Sequence, residues 1–212
     1  MPRATQWVHL GRGADVEAVQ RAGAVLAAGG VIAAPTETVY GLMCRWDAGA
    51  ARERIARMKR RAPEKHLQML AESLEAAAAA GLLADERFQR VEKAFWPGPL
   101  TAIGPAAQGG TIGLRIPRHA FVLDLIRAAG FPLAATSANL SGHPPALDAE
   151  TAVAELEEAP DLVVDGGVVE AGGHSSTVVD LSVPGAVRIL RAGPVSEAEL
   201  RRVLPEDRKS VV

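Results

Sequence analysis

The chain has a single cysteine, Cys44, in 212 residues, which excludes an internal disulfide framework and a cluster of thiolate metal ligands. Cys44 therefore reads as a small core residue in a reducing compartment. Long apolar runs are missing as well. No stretch reaches membrane-spanning length without a charge, Gly or Pro, and the start, MPRATQWVHLGRG, lacks the apolar core of a secretory leader. The expectation is a cytoplasmic protein with no membrane segment. Neither sign of charge dominates: 23 Lys and Arg stand against 25 Asp and Glu, a formal net charge of −2. That balance argues against coating nucleic acid by a global field and leaves only local RNA contact through a basic patch.

Several catalytic signatures are absent too. There is no G-x-x-x-x-G-K-[ST], so a nucleotide cannot be held by a P-loop, and GRGADV (11 to 16) lacks the third glycine of a dinucleotide fingerprint. The five histidines form no H-E-x-x-H pair, which argues against a zinc hydrolase, and no other metal site is expected. Gly-x-Ser-x-Gly does not occur and Cys44 has no evident partner. No protein nucleophile is therefore expected.

What is present is an ordinary globular composition, 48% hydrophobic and 23% charged, without repeats or a break that would separate two units. One domain covering residues 1–212, with its core from about 15 to 204, is the expectation. Asp15 can cap a helix through VEAVQRAGAVLAA, which Gly29-Gly30 would end. VIAAPT (31–36) and TVYGLMC (38–44) are short apolar runs split at Pro35, so Thr36, Glu37 and Thr38 sit in an ordered turn. Ala51, Ile55 and Met58 give 48–61 a helical core face, and Pro63 should stop that helix. Beyond it, LQML, PLTAIG, TIGLRIP, PLAATSA, LVVDGG, STVVDLS and VRILRAG read as strands. Helices are expected around 76–80, 85–95, 120–130, 149–159 and 196–204. Some connections are too short for a crossover, so the predicted architecture is α/β, a twisted mixed parallel and antiparallel sheet flanked by helices.

Three features could carry chemistry. Arg52 to Lys65 holds seven basic residues against two acidic ones. That run is either a solvated helix face or an anion site, with Lys59 and Arg61 converging across the helix end on polyphosphate or carboxylate. TSANLSG (136–142) gathers hydroxyl and amide groups at a strand end, where open sheets bind ligands, although Ser137 and Asn139 are also ordinary turn formers. A second hydroxyl run, His174 to Thr177, follows two glycines that would let backbone approach a ligand. Arg115 in TIGLRIP and Arg191 in VRILRAG are charges inside apolar strands, and each needs either an exposed face or an anion.

PTETVYGL (35–42), KRR (59–61) with Lys65 four residues on, WPGPLT (96–101), GLRIP (113–117), TSANLSG, STVVD (176–180) and ILRAG (189–193) together resemble the ordered signature of the YrdC-type threonylcarbamoyl-AMP synthases. The resemblance covers about residues 31 to 193. It implies a concave basic cavity on a mixed sheet and a nucleotidyltransferase that makes threonylcarbamoyl-adenylate and pyrophosphate from L-threonine, bicarbonate and Mg²⁺-ATP. The product would serve tRNA modification through a separate threonylcarbamoyl transferase, and no bound organic cofactor is implied. By the same resemblance Lys59, Arg61, Lys65, Thr111, Ser137, Asn139 and Arg191 fall on ATP contacts, and Thr38, Arg115 and Ser176 on threonine contacts. Arg115 is the implied partner of the threonine carboxylate through a two-armed pair.

The sequence departs from the pattern in places: Ala62 follows K-x-R where proline is usual, and Met43 replaces a glycine. Leu70 and Pro145 stand where longer relatives have a histidine and a polar residue, so those contacts are not carried over. The length matches the short form. Two rival readings remain, a non-catalytic relative that binds double-stranded RNA or nucleotide in the same cavity, and carbamoyl-adenylate chemistry within a larger hydrogenase-maturation chain.

Overall fold

The computed structural model describes residues 5–11, 15–60, 67–170 and 174–204. Ten strands form one mixed sheet. In chain order they are β1 Gln6–His9, β2 Ile32–Pro35, β3 Tyr40–Arg45, β4 Gln68–Leu70, β5 Leu100–Pro105, β6 Thr111–Arg115, β7 Leu133–Ser137, β8 Leu162–Asp165, β9 Thr177–Asp180 and β10 Arg188–Arg191. The helices are α1 Val16–Ala27, α2 Gly49–Met58, α3 Leu74–Ala79, α4 Glu86–Phe95, α5 Ala120–Ala129, α6 Ala149–Ala154 and α7 Glu197–Val203. The strands lie in the order β1-β8-β2-β3-β7-β4-β6-β5-β9-β10. Parallel pairs (β1 with β8, β8 with β2, β4 with β6, β5 with β9) are mixed with antiparallel ones (β2 with β3, β3 with β7, β7 with β4, β5 with β6, β9 with β10), as the mixture of short and long connections requires.

Side-chain alternation assigns each face. Around β8, β2, β3 and β7, residues such as Ile32, Met43, Leu133 and Val164 pack under α1 and α5. Their neighbours Ala33, Leu42, Ala134 and Val163 pack on the opposite face against α2 and α6. Towards β10, Met69, Leu100, Ala102, Leu114 and Val179 meet Phe88, Val91 and Leu200 from α4 and α7. Among the described residues, one part of the two-faced sheet, about a quarter, therefore has no helix against it. It continues the α1/α5 face beyond Leu70 and Ala135, which still pack in that core, along β6, β5, β9 and β10, traced by the paired residues Leu70–Arg115, Ile103–Gly113, Thr101–Val178 and Val178–Arg191.

Local sequence explains most boundaries and corrects some expectations. Gly29 takes φ +79° just past α1, the left-handed step that ends a helix. Asp15 occupies the first position before α1 but does not cap it; its Oδ1 instead accepts the backbone N–H of Gly11 at 2.7 Å. The helix expected over 48–61 ends at Met58, before the prolyl stop at Pro63, which lies outside the described residues. The helix expected over 149–159 ends at Ala154, because the acidic residues after it are drawn to α2: Arg54 pairs with Glu158 and Asp161, and Arg60 with Glu157. β1 was not anticipated. It is an edge strand in which only Val8 is buried, so it carries almost no alternation signal.

Two glycines are fixed by close approach. A Cβ on Gly104 would lie 2.6 Å from Phe88 Cζ, and one on Gly193 would lie 2.5 Å from Thr177 N and 2.6 Å from Ser175 O. Gly193 thus lets the chain leaving β10 lie against the backbone that enters β9. Gly193→Ala should cost about 1–3 kcal/mol of unfolding free energy through overpacking; urea denaturation that gives the parent value would show that the two segments have room to part.

Candidate functional site

The uncovered quarter of the sheet forms the floor of a cavity of about 350 Å³. The residues pointing into it are the ones whose neighbours pack into the core: Thr101 and Ile103 of β5, Thr111, Gly113 and Arg115 of β6, Val178 of β9, and Arg191 of β10. Its walls come from the turn at Thr38 and Val39, from Thr136 and Ser137 ending β7, and from Ser175 and Ser176 before β9. Thr38, Thr111, Ser137, Arg115, Ser176 and Arg191, far apart in the chain, thus line one space. Arg61 and Lys65 lie outside the described residues.

Hydrogen bonds organise the wall nearest β10. Arg191 donates from Nε to the Ser176 carbonyl at 3.0 Å and from Nη2 to Ser176 Oγ at 3.1 Å. Ser176 Oγ is 2.8 Å from Thr101 Oγ1, which donates to Gln68 Oε1 at 2.8 Å. With the Thr101 proton committed to Gln68, the Ser176 hydroxyl donates to Thr101, and the chain runs in one direction from Arg191 to Gln68. Burial holds the Arg191 guanidinium below its ordinary pKa, and the positive charge of Arg115 adds to the effect. Two like charges beside one cavity make an anion the natural occupant.

Arg115 is itself buried, with 3% of its side chain exposed. Its Nη2 sits 2.8 Å from Glu37 Oε1, yet neither atom is aligned for a hydrogen bond, and Arg115 Nε and both Glu37 oxygens are likewise buried without a hydrogen-bond partner. The distance makes an ion pair; the angles do not make a hydrogen bond. With one arm on Glu37, the two-armed fork expected from the resemblance offers a ligand its other arm, Nη1.

Lys59 and Asn139 do not line the cavity. Lys59 is 2% exposed at the end of α2, and its ammonium donates to the carbonyls of Ser137 and Asn139. In return Ser141 N–H donates to the Lys59 carbonyl at 3.1 Å. Asn139 Nδ2 donates to the Leu140 and His143 carbonyls, both at 2.8 Å. Lys59 at the end of α2 and the TSANLSG loop are therefore locked together behind Ser137. The solvated-face reading of Lys59 does not hold. Arg54, Arg60 and Arg52 are also engaged, the first two in the ion pairs with Glu157, Glu158 and Asp161, the third over the Trp46 ring at 4.6 Å.

Sequence reasoning left Gln68, Thr101 and Glu37 without a role. Thr101 lies inside WPGPLT and Glu37 inside PTETVYGL, so their motifs were visible but their neighbours were not. Gln68 opens an otherwise apolar strand, a polar residue among three buried ones, and that was its available signal.

With this geometry in view, comparison with known proteins is informative. Residues 24–193 match the Sua5_yciO_yrdC family, described as telomere recombination. The chain is 37% identical over 203 residues to human threonylcarbamoyl-AMP synthase, covering 86% of this chain and 69% of the human one. The fold superposes on Sua5 of P. abyssi complexed with L-threonine with a TM-score of 0.87 at 30% identity, covering 95% of this chain and 62% of that longer one. It superposes on YciO of E. coli with a TM-score of 0.80 at 25% identity, covering 93% and 98%. The chain belongs to the Sua5/YciO/YrdC family.

Lys59→Met should loosen the 137–141 loop even without any ligand, because it leaves buried carbonyls unpaired. We expect a loss of about 1.5–3 kcal/mol in stability and faster amide exchange at Ser141. Parent-like exchange there would mean that the ammonium is not what holds the loop.

Proposed function

We propose that the chain is a threonylcarbamoyl-AMP synthase, forming threonylcarbamoyl-adenylate and pyrophosphate from L-threonine, bicarbonate and ATP for modification of tRNA adenosine. The observation that carries the proposal is the pair of cavity-facing guanidiniums, Arg115 and Arg191, beside Ser176 and Thr38, in a fold whose relative is complexed with L-threonine. Thr38, Arg115 and Ser176 would hold threonine by its carboxylate and hydroxyl. Ser137, Thr111 and Arg191 would face ATP, with Arg61 and Lys65 completing the phosphate site and Lys59 and Asn139 fixing the loop that presents Ser137.

In this reaction the threonine amine condenses with bicarbonate and loses water, giving a carbamate. A carbamate oxygen then forms a bond to the α-phosphorus as the bond to the β-phosphate oxygen breaks, and pyrophosphate leaves with the electron pair. No protein nucleophile takes part, and burial, which pushes the Cys44 thiol up to about 12, keeps that residue out of the chemistry. The work is positioning and charge stabilisation. In the proposed reaction magnesium would enter with the triphosphate, as part of the substrate. The labile adenylate would pass to a threonylcarbamoyl transferase in the cytoplasm. No helix among the described residues is long and apolar enough to cross a membrane. Arg54 and Arg60 of the basic run are paired with Glu157, Glu158 and Asp161, which lowers the charge that this segment could offer to duplex RNA.

Pyrophosphate release should require threonine and bicarbonate together, checked by omitting each in turn; release that ignores threonine would overturn the proposal. Arg115→Lys should raise KM for threonine about tenfold, since lysine keeps the charge but not the planar fork, with ATP affinity measured without threonine near the parent's. Equal threonine titrations of parent and variant would remove Arg115 from the site.

A further inference from the structure

Glu37 stands behind Arg115, outside the cavity lining, in a turn that is fixed independently of it. Thr36 N–H donates to the Val39 carbonyl at 3.1 Å, and Thr36 Oγ1 accepts the backbone N–H groups of Thr38 and Val39 at 3.1 and 3.2 Å. Tyr40 N–H is tied to the Ala146 carbonyl at 3.0 Å. The Glu37 backbone therefore has little freedom, and its carboxylate is delivered to Arg115 by the PTETV turn.

What the carboxylate meets there is unusual. Among the described residues, the buried side-chain atoms without a hydrogen-bond partner are both Glu37 oxygens, Arg115 Nε and Nη2, and His119 Nδ1. These three side chains occur together: Arg115 and His119 are four residues apart across the β6–α5 junction, and His119 senses the charges of both Glu37 and Arg115. Burial holds the His119 imidazole below its ordinary pKa, with the Arg115 charge adding to the effect and the Glu37 charge opposing it. Near neutral pH the cluster is thus an arginine–glutamate ion pair flanked by a neutral imidazole.

A buried, imperfectly aligned ion pair is a poor device for stability, because desolvation of both charges offsets their attraction. It is an effective device for geometry. Held at 2.8 Å on the Nη2 side, the guanidinium plane can turn only about the contact with Glu37. Nη1, the one nitrogen of Arg115 absent from the buried and unpartnered set, is the arm left for the cavity. Charge supports the same assignment. Two guanidiniums, Arg115 and Arg191, and one carboxylate, Glu37, leave a single positive charge at this end of the cavity, which suits one carboxylate better than a polyanion.

We propose that Glu37 is a positioning residue for Arg115, fixing one arm of the guanidinium so that the other meets the carboxylate of the amino-acid substrate. This rests on the reading of the cavity as an amino-acid site and adds to it the residue that sets its geometry.

The test uses the full-length parent, Glu37→Gln, Glu37→Asp, Arg115→Lys and the double variant Glu37→Gln/Arg115→Lys, titrated calorimetrically with L-threonine and separately with ATP. Glutamine keeps the shape and removes the charge, and should weaken threonine binding about tenfold while ATP binding stays within about twofold. Aspartate keeps the charge and withdraws it by one methylene, and should fall between the two. It also serves if the glutamine variant does not fold. Because Glu37 acts through Arg115, the double variant should lose little more than Arg115→Lys alone. Threonine affinity unchanged in both Glu37 variants, or losses that multiply in the double variant, would overturn the proposal. If the parent itself fails to bind threonine, the substrate reading fails, and Glu37 is judged by the Arg115 Nε–H resonance in ¹⁵N spectra. A sharp, slowly exchanging signal in the parent that broadens in Glu37→Gln supports the positioning role, and identical signals in both overturn it.

Discussion

The ammonium of Lys59, resting on the carbonyls of Ser137 and Asn139, is the contact on which the site depends. It joins the end of α2, more than seventy residues earlier in the chain, to the loop that ends β7. A lysine 2% exposed is costly to desolvate, and backbone carbonyls lower that cost without presenting a competing carboxylate. The return bond from Ser141 N–H to the Lys59 carbonyl makes the contact reciprocal, so neither segment can shift alone. The consequence for function is that the wall containing Ser137 is set before any ligand arrives, which is the condition for catalysis by positioning.

Much of this arrangement was legible in the sequence, for identifiable reasons. In β6 the apolar Ile112 and Leu114 alternate with Thr111, Gly113 and Arg115, and the apolar pair enters the core that Phe88 and Leu200 help to build. A charge such as Arg115 on the other phase had to face either solvent or an anion, and the structure buries it beside the Glu37 carboxylate at the edge of the cavity. Sheet register was not legible. Gln68 reaches Thr101, and Thr101 reaches Ser176, only because β4, β6, β5 and β9 are neighbours. No local spacing encodes that adjacency. Glu37 was hidden for a related reason: a glutamate in a turn is ordinarily solvated, and its burial follows from where β6 places Arg115.

The basic run of α2 shows how composition can mislead about electrostatics. Counted alone, Arg52 to Lys65 suggests either a solvated basic face or an anion site. In the fold, Arg54 and Arg60 are matched by the acidic segment after α6, and Arg52 lies over Trp46. Those acids are also why α6 is shorter than its sequence suggests: Glu157 and Glu158 leave the helix and turn towards α2, where Glu157 N–H additionally bonds the Met58 carbonyl. The positive charge beside the cavity is instead carried by the strands, Arg115 buried in β6 and Arg191 exposed at the end of β10.

That placement also explains why one quarter of the sheet carries no helix. A helix laid over β6, β5 and β9 would have to cover the Arg191 guanidinium, exposed at the end of β10, and fill the cavity beside Thr101 and Arg115 with an apolar face that offers no hydrogen bonds. The same strands could not be made apolar on this face without losing the hydrogen-bond chain from Arg191 to Gln68. Exposure of this face is therefore written into the side chains of the strands themselves. A sheet whose other three quarters are sealed by helices, but whose fourth presents guanidiniums and hydroxyls around a cavity of about 350 Å³, has spent packing energy to keep a polar surface open. The two guanidiniums at this cavity would suit a small anion able to accept hydrogen bonds, a description that a carboxylate and a phosphate both meet.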